Sequence, residues 1–191
     1  MLFRSDVSGK GVPAALYMMV AKTLLKSEGQ RLGEPSRILS CVNTILAEDN
    51  DSCMFATVFC GILDTETGEV CFANAGHNPP LIMDGAGIRY LAPQAGFVLG
   101  PMEGIAYTTE RLFMQPGDTL FLYTDGVTEA CNHVDELYGE ARLLTVLQKI
   151  PREDLVALVH GVRADVAAHA AGAPQSDDVT MVAITWQGTE R

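Results

Sequence analysis

The chain has 191 residues, 48% of them hydrophobic, with a formal net charge of -11 and a pI near 4.6. That length and apolar content suit one compact domain with a sizeable core, and no run of 18 apolar residues suggests a membrane span. The acidic balance disfavours nucleic acid as a ligand, although a bound cation can reverse the field locally.

In chain order, residues 13–27 (PAALYMMVAKTLLKS) carry Leu16, Met19, Val20, Thr23 and Leu24 at helical spacing. Pro13 suits a first turn and Gly29 a stop, so one amphipathic helix is predicted here. Residues 36–48 repeat the pattern with Ile38, Leu39, Val42, Ile45 and Leu46, again after a proline. The two helices are expected side by side on one sheet, burying Leu16, Val20, Leu24, Leu39, Val42 and Leu46.

The pattern then changes to strands. MFATVFCGILD and EVCFANAG flank TETG, and PLIMD and IRYL flank GAG, as two hairpins. YTTERLFM and DTLFLYTD flank QPG as a further strand pair across a turn. GEARLLTVLQKI and REDLVALVHGVRADVAAHAA read as helices, with Gly161 weakening the second, and DVTMVAITW is a closing strand. Clustered elements with strands apolar on both faces predict an α+β fold: a four-layer α-β-β-α sandwich of two mainly antiparallel sheets.

Cys41, Cys53, Cys60, Cys71 and Cys131 form no C-x-x-C and do not combine with the four histidines at zinc spacing. Reduced thiols in a cytoplasmic protein are the expectation. No secretory signal pattern precedes them.

The stretch SDVSGKGVPAAL (5–16) raises the question of a phosphate loop. A Walker loop needs a glycine five positions before the glycine of the G-K pair and a Ser or Thr after the lysine, and neither is present. Ala14 also breaks a dinucleotide fingerprint, so a nucleotide-binding reading ranks last and a tight turn first. Asp6 stands before this turn, Asp125 at the exit of a very apolar strand, and Asp177 and Asp178 at the entry of another. Carboxylates near a core are costly unless paired or metal-bound. Each acid alone reads as a turn residue; jointly, at the edges of buried strands, they suggest oxygen ligands for a hard cation. The residues themselves leave these two readings open.

DVSGKGVPAALYM, FATVFCGILDTETGEVCFANAGHNPPLIM, PGDTLFLYTDGVTEACN and SDDVTMVAI occur in this order over residues 3–185. Together they resemble the SpoIIE-like branch of the PPM (protein phosphatase 2C-like) metal-dependent serine/threonine phosphatases. The resemblance implies the sandwich fold and a single phosphatase domain over residues 1–191. It implies Mn2+ or Mg2+ held by the Asp6 carboxylate, the Val7 carbonyl, Asp125 and Asp177, with Asp178 the alternative to Asp177. It implies hydrolysis of phosphoserine or phosphothreonine on a regulatory protein of the STAS (anti-anti-sigma) type by a metal-activated water. A sensor or receiver domain upstream in the native protein and a homodimer are further implied partners; neither nucleic acid nor membrane is. His77, in NAGHNPP, reads as a loop-ordering residue, with a general acid as the alternative. Relatives usually carry a Gly-Gly-Asp motif on an N-terminal strand pair, which this sequence lacks ahead of Asp6. The expectation is therefore a domain without that strand pair, with one weak metal site that needs millimolar Mn2+. A catalytically weak PPM-like domain acting as an interaction module is the competing reading.

Overall fold

The computed structural model describes residues 1–48, 50–91, 96–175 and 177–189. Ser176, which opens the SDDVTMVAI motif, lies outside the described residues. In chain order the elements are β1 (Leu2–Val7), α1 (Val12–Leu32), α2 (Pro35–Ala47), β2 (Ala56–Leu63), β3 (Glu69–Ala75), β4 (Leu81–Asp84) and β5 (Gly87–Tyr90). They continue with β6 (Glu110–Phe113), β7 (Thr119–Tyr123), the single turn α3 (Asp125–Thr128), α4 (Glu140–Leu147), α5 (Leu155–Ala170) and β8 (Met181–Thr185). No helix among the described residues is long and apolar enough to cross a membrane.

The chain divides into two compact units. The first, residues 1–77 and 93–113, holds an antiparallel sheet in the order β1-β2-β3-β6 with α1 and α2. Alternation along β2 sends Ala56, Val58 and Cys60 into a core shared with Ile38, Leu39, Val42 and Leu46 of α2. Burial pushes the Cys60 thiol up to about 12, so it stays protonated and serves as a small apolar group. The alternate residue Phe59 is also fully buried and stacks on Phe72 at 5.5 Å, so this sheet is apolar on both faces, as expected.

The second unit, residues 78–92 and 114–191, holds the sheet β5-β4-β7-β8 with α4 and α5. Phe121 and Tyr123 of β7 join Leu143, Leu147, Leu158 and Val162 in its core. Gly161 does not break α5. A Cβ at Gly161 would overlap the Ile150 side chain, so the glycine makes room for the segment after α4. Asp154 caps α5 by accepting from the Ala157 amide at 2.9 Å.

Three expectations are corrected. First, α1 continues past residue 27 to Leu32, because Gly29 sits against the Met1 side chain and the turn ends only at Gly33, whose φ is 64°. Second, α1 buries a different face. Leu16, Met19 and Val20 are 53%, 58% and 50% exposed, while Ala21 and Leu25 are fully buried and Tyr17 and Leu24 partly so. Of the expected stripe Leu24 alone packs on the core; the buried stripe runs through a small alanine, which the spacing of large side chains does not mark. On α2 the expected Leu39, Val42 and Leu46 are buried, although Ile45 is exposed. Third, the segments around QPG are not a hairpin. β6 pairs with β3, whereas β7 pairs with β4 and β8, so Pro116 and Gly117 lie where the chain passes from one sheet to the other. The turn is held by the Asp118 carboxylate, which accepts from the Gln115 amide at 2.7 Å, and by the Gly117 amide, which donates to the Trp186 carbonyl at 2.8 Å.

Candidate metal centre

Asp6 lies near the end of β1, opposite Thr57 of β2, and Val7 lies opposite Ala56. Both are half-buried. The strand closes on Ser8, whose amide donates to the Phe55 carbonyl and whose hydroxyl accepts from the Phe55 amide, each at 2.9 Å. Gly9 and Gly11 have φ of 81° and 80°, and a Cβ on either would meet nothing within 4 Å. These glycines supply a left-handed torsion, not space. Gly11 then starts α1, its carbonyl accepting from the Ala15 amide. The SGKG stretch is thus a strand-to-helix turn.

The same strand face carries Arg4 opposite Phe59. Burial lowers the pKa of its guanidinium, and the nearby Asp6 carboxylate opposes that shift. His77 is 2% exposed. Its Nδ1 is 3.0 Å from Thr57 Oγ1, and its Nε2 has no partner among the described residues. Burial first, and the Arg4 charge second, lower its pKa to about 4, so the ring is neutral at pH 7. Asn74 ties the His77 main chain from both sides, at 2.8 Å each way. These contacts fit the loop-ordering role.

Asp125 opens α3 directly after β7. Thr124 precedes it in the T-D-G motif. Thr124 is 2% exposed; its hydroxyl donates to the Asp178 carbonyl at 2.7 Å and accepts from the Thr180 amide at 3.0 Å. Gly126 lies against the same segment: a Cβ there would come within 2.5 Å of the Asp178 carbonyl oxygen and 3.1 Å of that of Asp177. The glycine after Asp125 is therefore required for space.

This packing brings Asp125 and Asp177 together, with a carboxylate oxygen of each within 4.8 Å of the other. Each uses Oδ1 to accept from the amide of the next residue, Gly126 at 2.8 Å and Asp178 at 2.7 Å. Neither forms an ion pair among the described residues. Asp178 is exposed, and the contacts it makes here are through its main chain. Two carboxylates this close repel in the absence of a cation, and their oxygens are the hard donors that Mg2+ and Mn2+ take. The donor set fits such an ion.

The chain resembles Protein IcfG of Synechocystis sp., with 29% identity over 208 residues covering 94% of this chain and 32% of that protein. It also resembles phosphoserine phosphatase RsbU of Bacillus subtilis, with 32% identity over 126 residues covering 65% of this chain and 38% of that protein. It thus spans about a third of the length of these curated relatives. Among solved structures, the SiaA-PP2C domain of Pseudomonas aeruginosa matches with a TM-score of 0.81 and 22% identity, covering 96% of this chain and 78% of that one. The catalytic domain of the serine/threonine phosphatase PstP, solved with two manganese ions, matches with a TM-score of 0.65 and 14% identity, covering 95% and 85%. These likenesses bear out the expected α+β sandwich class. The model of the Stage II sporulation protein E (SpoIIE) family matches residues 1–187, and the chain belongs to that family.

Proposed function

We propose that residues 1–191 form one phosphatase domain that hydrolyses phosphoserine or phosphothreonine on a regulatory protein of the STAS type. In this reading Asp6, the Val7 carbonyl, Asp125 and Asp177 hold Mn2+ or Mg2+. The observation that carries it is the Asp125–Asp177 pair. Two facing carboxylates have no cationic partner among the described residues, and buried Thr124 and the cramped Gly126 lock their segments together. Asp6 enters through its place at the end of a strand before the family's glycine turn. The name of RsbU, a phosphoserine phosphatase, supports the substrate class, and the two manganese ions in PstP support the choice of metal.

The bound cation would lower the pKa of water and offset phosphate charge during in-line displacement. The chain's own residues do the rest. Asp125 and Asp177 orient their free oxygens because their other oxygens are fixed by the following amides. Neutral His77 holds Thr57, the cross-strand neighbour of Asp6, and so fixes the strand beneath that carboxylate. In the net reaction water adds to phosphorus, the P–O bond to the serine oxygen breaks, that oxygen takes a proton, and inorganic phosphate leaves. All five cysteines are unpaired, which supports action in the cytoplasm.

The test is release of phosphate from a phosphoserine-bearing STAS protein with and without Mn2+, beside Asp125→Asn. Mn2+-dependent release that falls by at least about 100-fold in the variant is expected, since even residues behind a ligand are worth 10–100-fold. A folded protein that binds the STAS partner but releases no phosphate at millimolar Mn2+ would replace the enzyme with an interaction module.

A further inference from the structure

A cavity of about 630 Å3 opens in the second unit beside the Asp125–Asp177 pair. Val166, Ala167 and Ala170 of α5 form one wall, and Val179 and Met181 at the entry of β8 form another. Gly126 and Thr180 also line it. Gly126 directly follows Asp125, and the Thr180 amide is bonded to the Thr124 hydroxyl at 3.0 Å, so the cavity wall and the acid pair share one hydrogen-bonded turn. The lining is apolar apart from a few polar groups, and its one charged residue among those described is Arg163. Arg163 is exposed and forms no ion pair among the described residues.

These features decide the class of occupant. Among the described residues no aromatic side chain lines the cavity, so a nucleobase has nothing to stack on, and the single cation found there is too few for a polyphosphate. The volume lies within the range of ligand sites and holds more than one side chain. An apolar wall with one cation complements an extended peptide carrying one apolar and one acidic residue.

Resting on the phosphatase reading above, we propose that this cavity recognises the residues flanking the phosphoserine of the substrate protein. An apolar side chain lies against Val166 and Met181, and a carboxylate meets Arg163. The flanking sequence, and not phosphoserine alone, then selects the substrate.

The test uses the full chain with Mn2+ and fluorescent peptides in which a phosphonate replaces phosphoserine, so that binding is read without cleavage. One apolar and one acidic residue are scanned on both sides against an alanine background. Anisotropy titrations are expected to find one arrangement binding about tenfold tighter than the alanine peptide, as one well-buried side chain provides. Ala167→Trp fills the cavity and erases the apolar preference; Arg163→Glu, at an exposed position, turns the acidic preference into a basic one. Equal affinity across the set, or preferences that survive both variants, overturns the proposal. Cleavable phosphoserine peptides separate the two readings. Flank-dependent binding with no Mn2+-dependent cleavage overturns the phosphatase reading, whereas cleavage indifferent to the flanks overturns the recognition cavity alone.

Discussion

The two turns that carry Asp6 and Asp125 both use glycine, and for opposite reasons. Gly9 and Gly11 lie in open space but need positive φ, so their role is torsional. Gly126 needs no special torsion but lies against the Asp178 carbonyl, so its role is steric. The first turn shapes its own backbone; the second controls how closely another segment, the one bearing Asp177, can approach. Substitution at the second should therefore disturb the Asp125–Asp177 pair directly, and substitution at the first should act chiefly through local stability.

The largest effects test the packing under each turn. Leu39 and Leu158 are fully buried, one in each core. Leu39→Ala and Leu158→Ala should each cost about 2–5 kcal/mol in denaturant unfolding. Leu16→Ala, on the exposed face of α1, should stay within about 0.5 kcal/mol. A large loss at Leu16 would mean that the α1 face has been assigned wrongly.

Next comes the brace found only at the first turn. His77 has a folded pKa of about 4 against an ordinary 6.5. Between these values the unfolded chain binds the proton more readily, so stability falls as pH drops from 6.5 to 4. The difference amounts to about 3 kcal/mol, and it levels off below pH 4, where both states are protonated. His77→Gln should remove this slope from a pH series of urea melts. An unchanged slope would place the ring in contact with water.

Gly126→Ala should cost about 1–3 kcal/mol by overpacking, and it should weaken Mn2+ binding by about 10–100-fold in a titration calorimeter. Gly9→Ala should cost about 1–2 kcal/mol with a smaller effect on Mn2+, and Gly9→Asn should cost less, because asparagine tolerates a left-handed torsion. Equal effects on Mn2+ from Gly9→Ala and Gly126→Ala would erase the distinction between the turns.

The same distinction explains what could be read from the sequence. The α2 stripe, the β4–β5 hairpin and the three acids at strand ends were legible because spacing and turn residues encode them locally. The α1 face was not, since Ala21 contributes little to any pattern of large apolar residues and is buried by what packs on it. The β6–β7 hairpin failed for a related reason: two strands across a turn look alike whether they pair with each other or with distant strands. Asp125 alone reads as a turn residue, yet the glycine after it answers to a backbone more than fifty positions away. Thr124 gives no local signal because its partners, Asp178 and Thr180, are equally distant. The cavity beside the acids is likewise built from α3, α5 and β8, with no local signal.

The proposal that Asp6, Asp125 and Asp177 share one divalent cation is tested most directly by anomalous scattering from crystals soaked in Mn2+. The account predicts a manganese peak at coordination distance, about 2.0–2.6 Å, from carboxylate oxygens of all three acids. A peak on Asp125 and Asp177 that leaves Asp6 uncoordinated, or no peak at millimolar Mn2+, would contradict it.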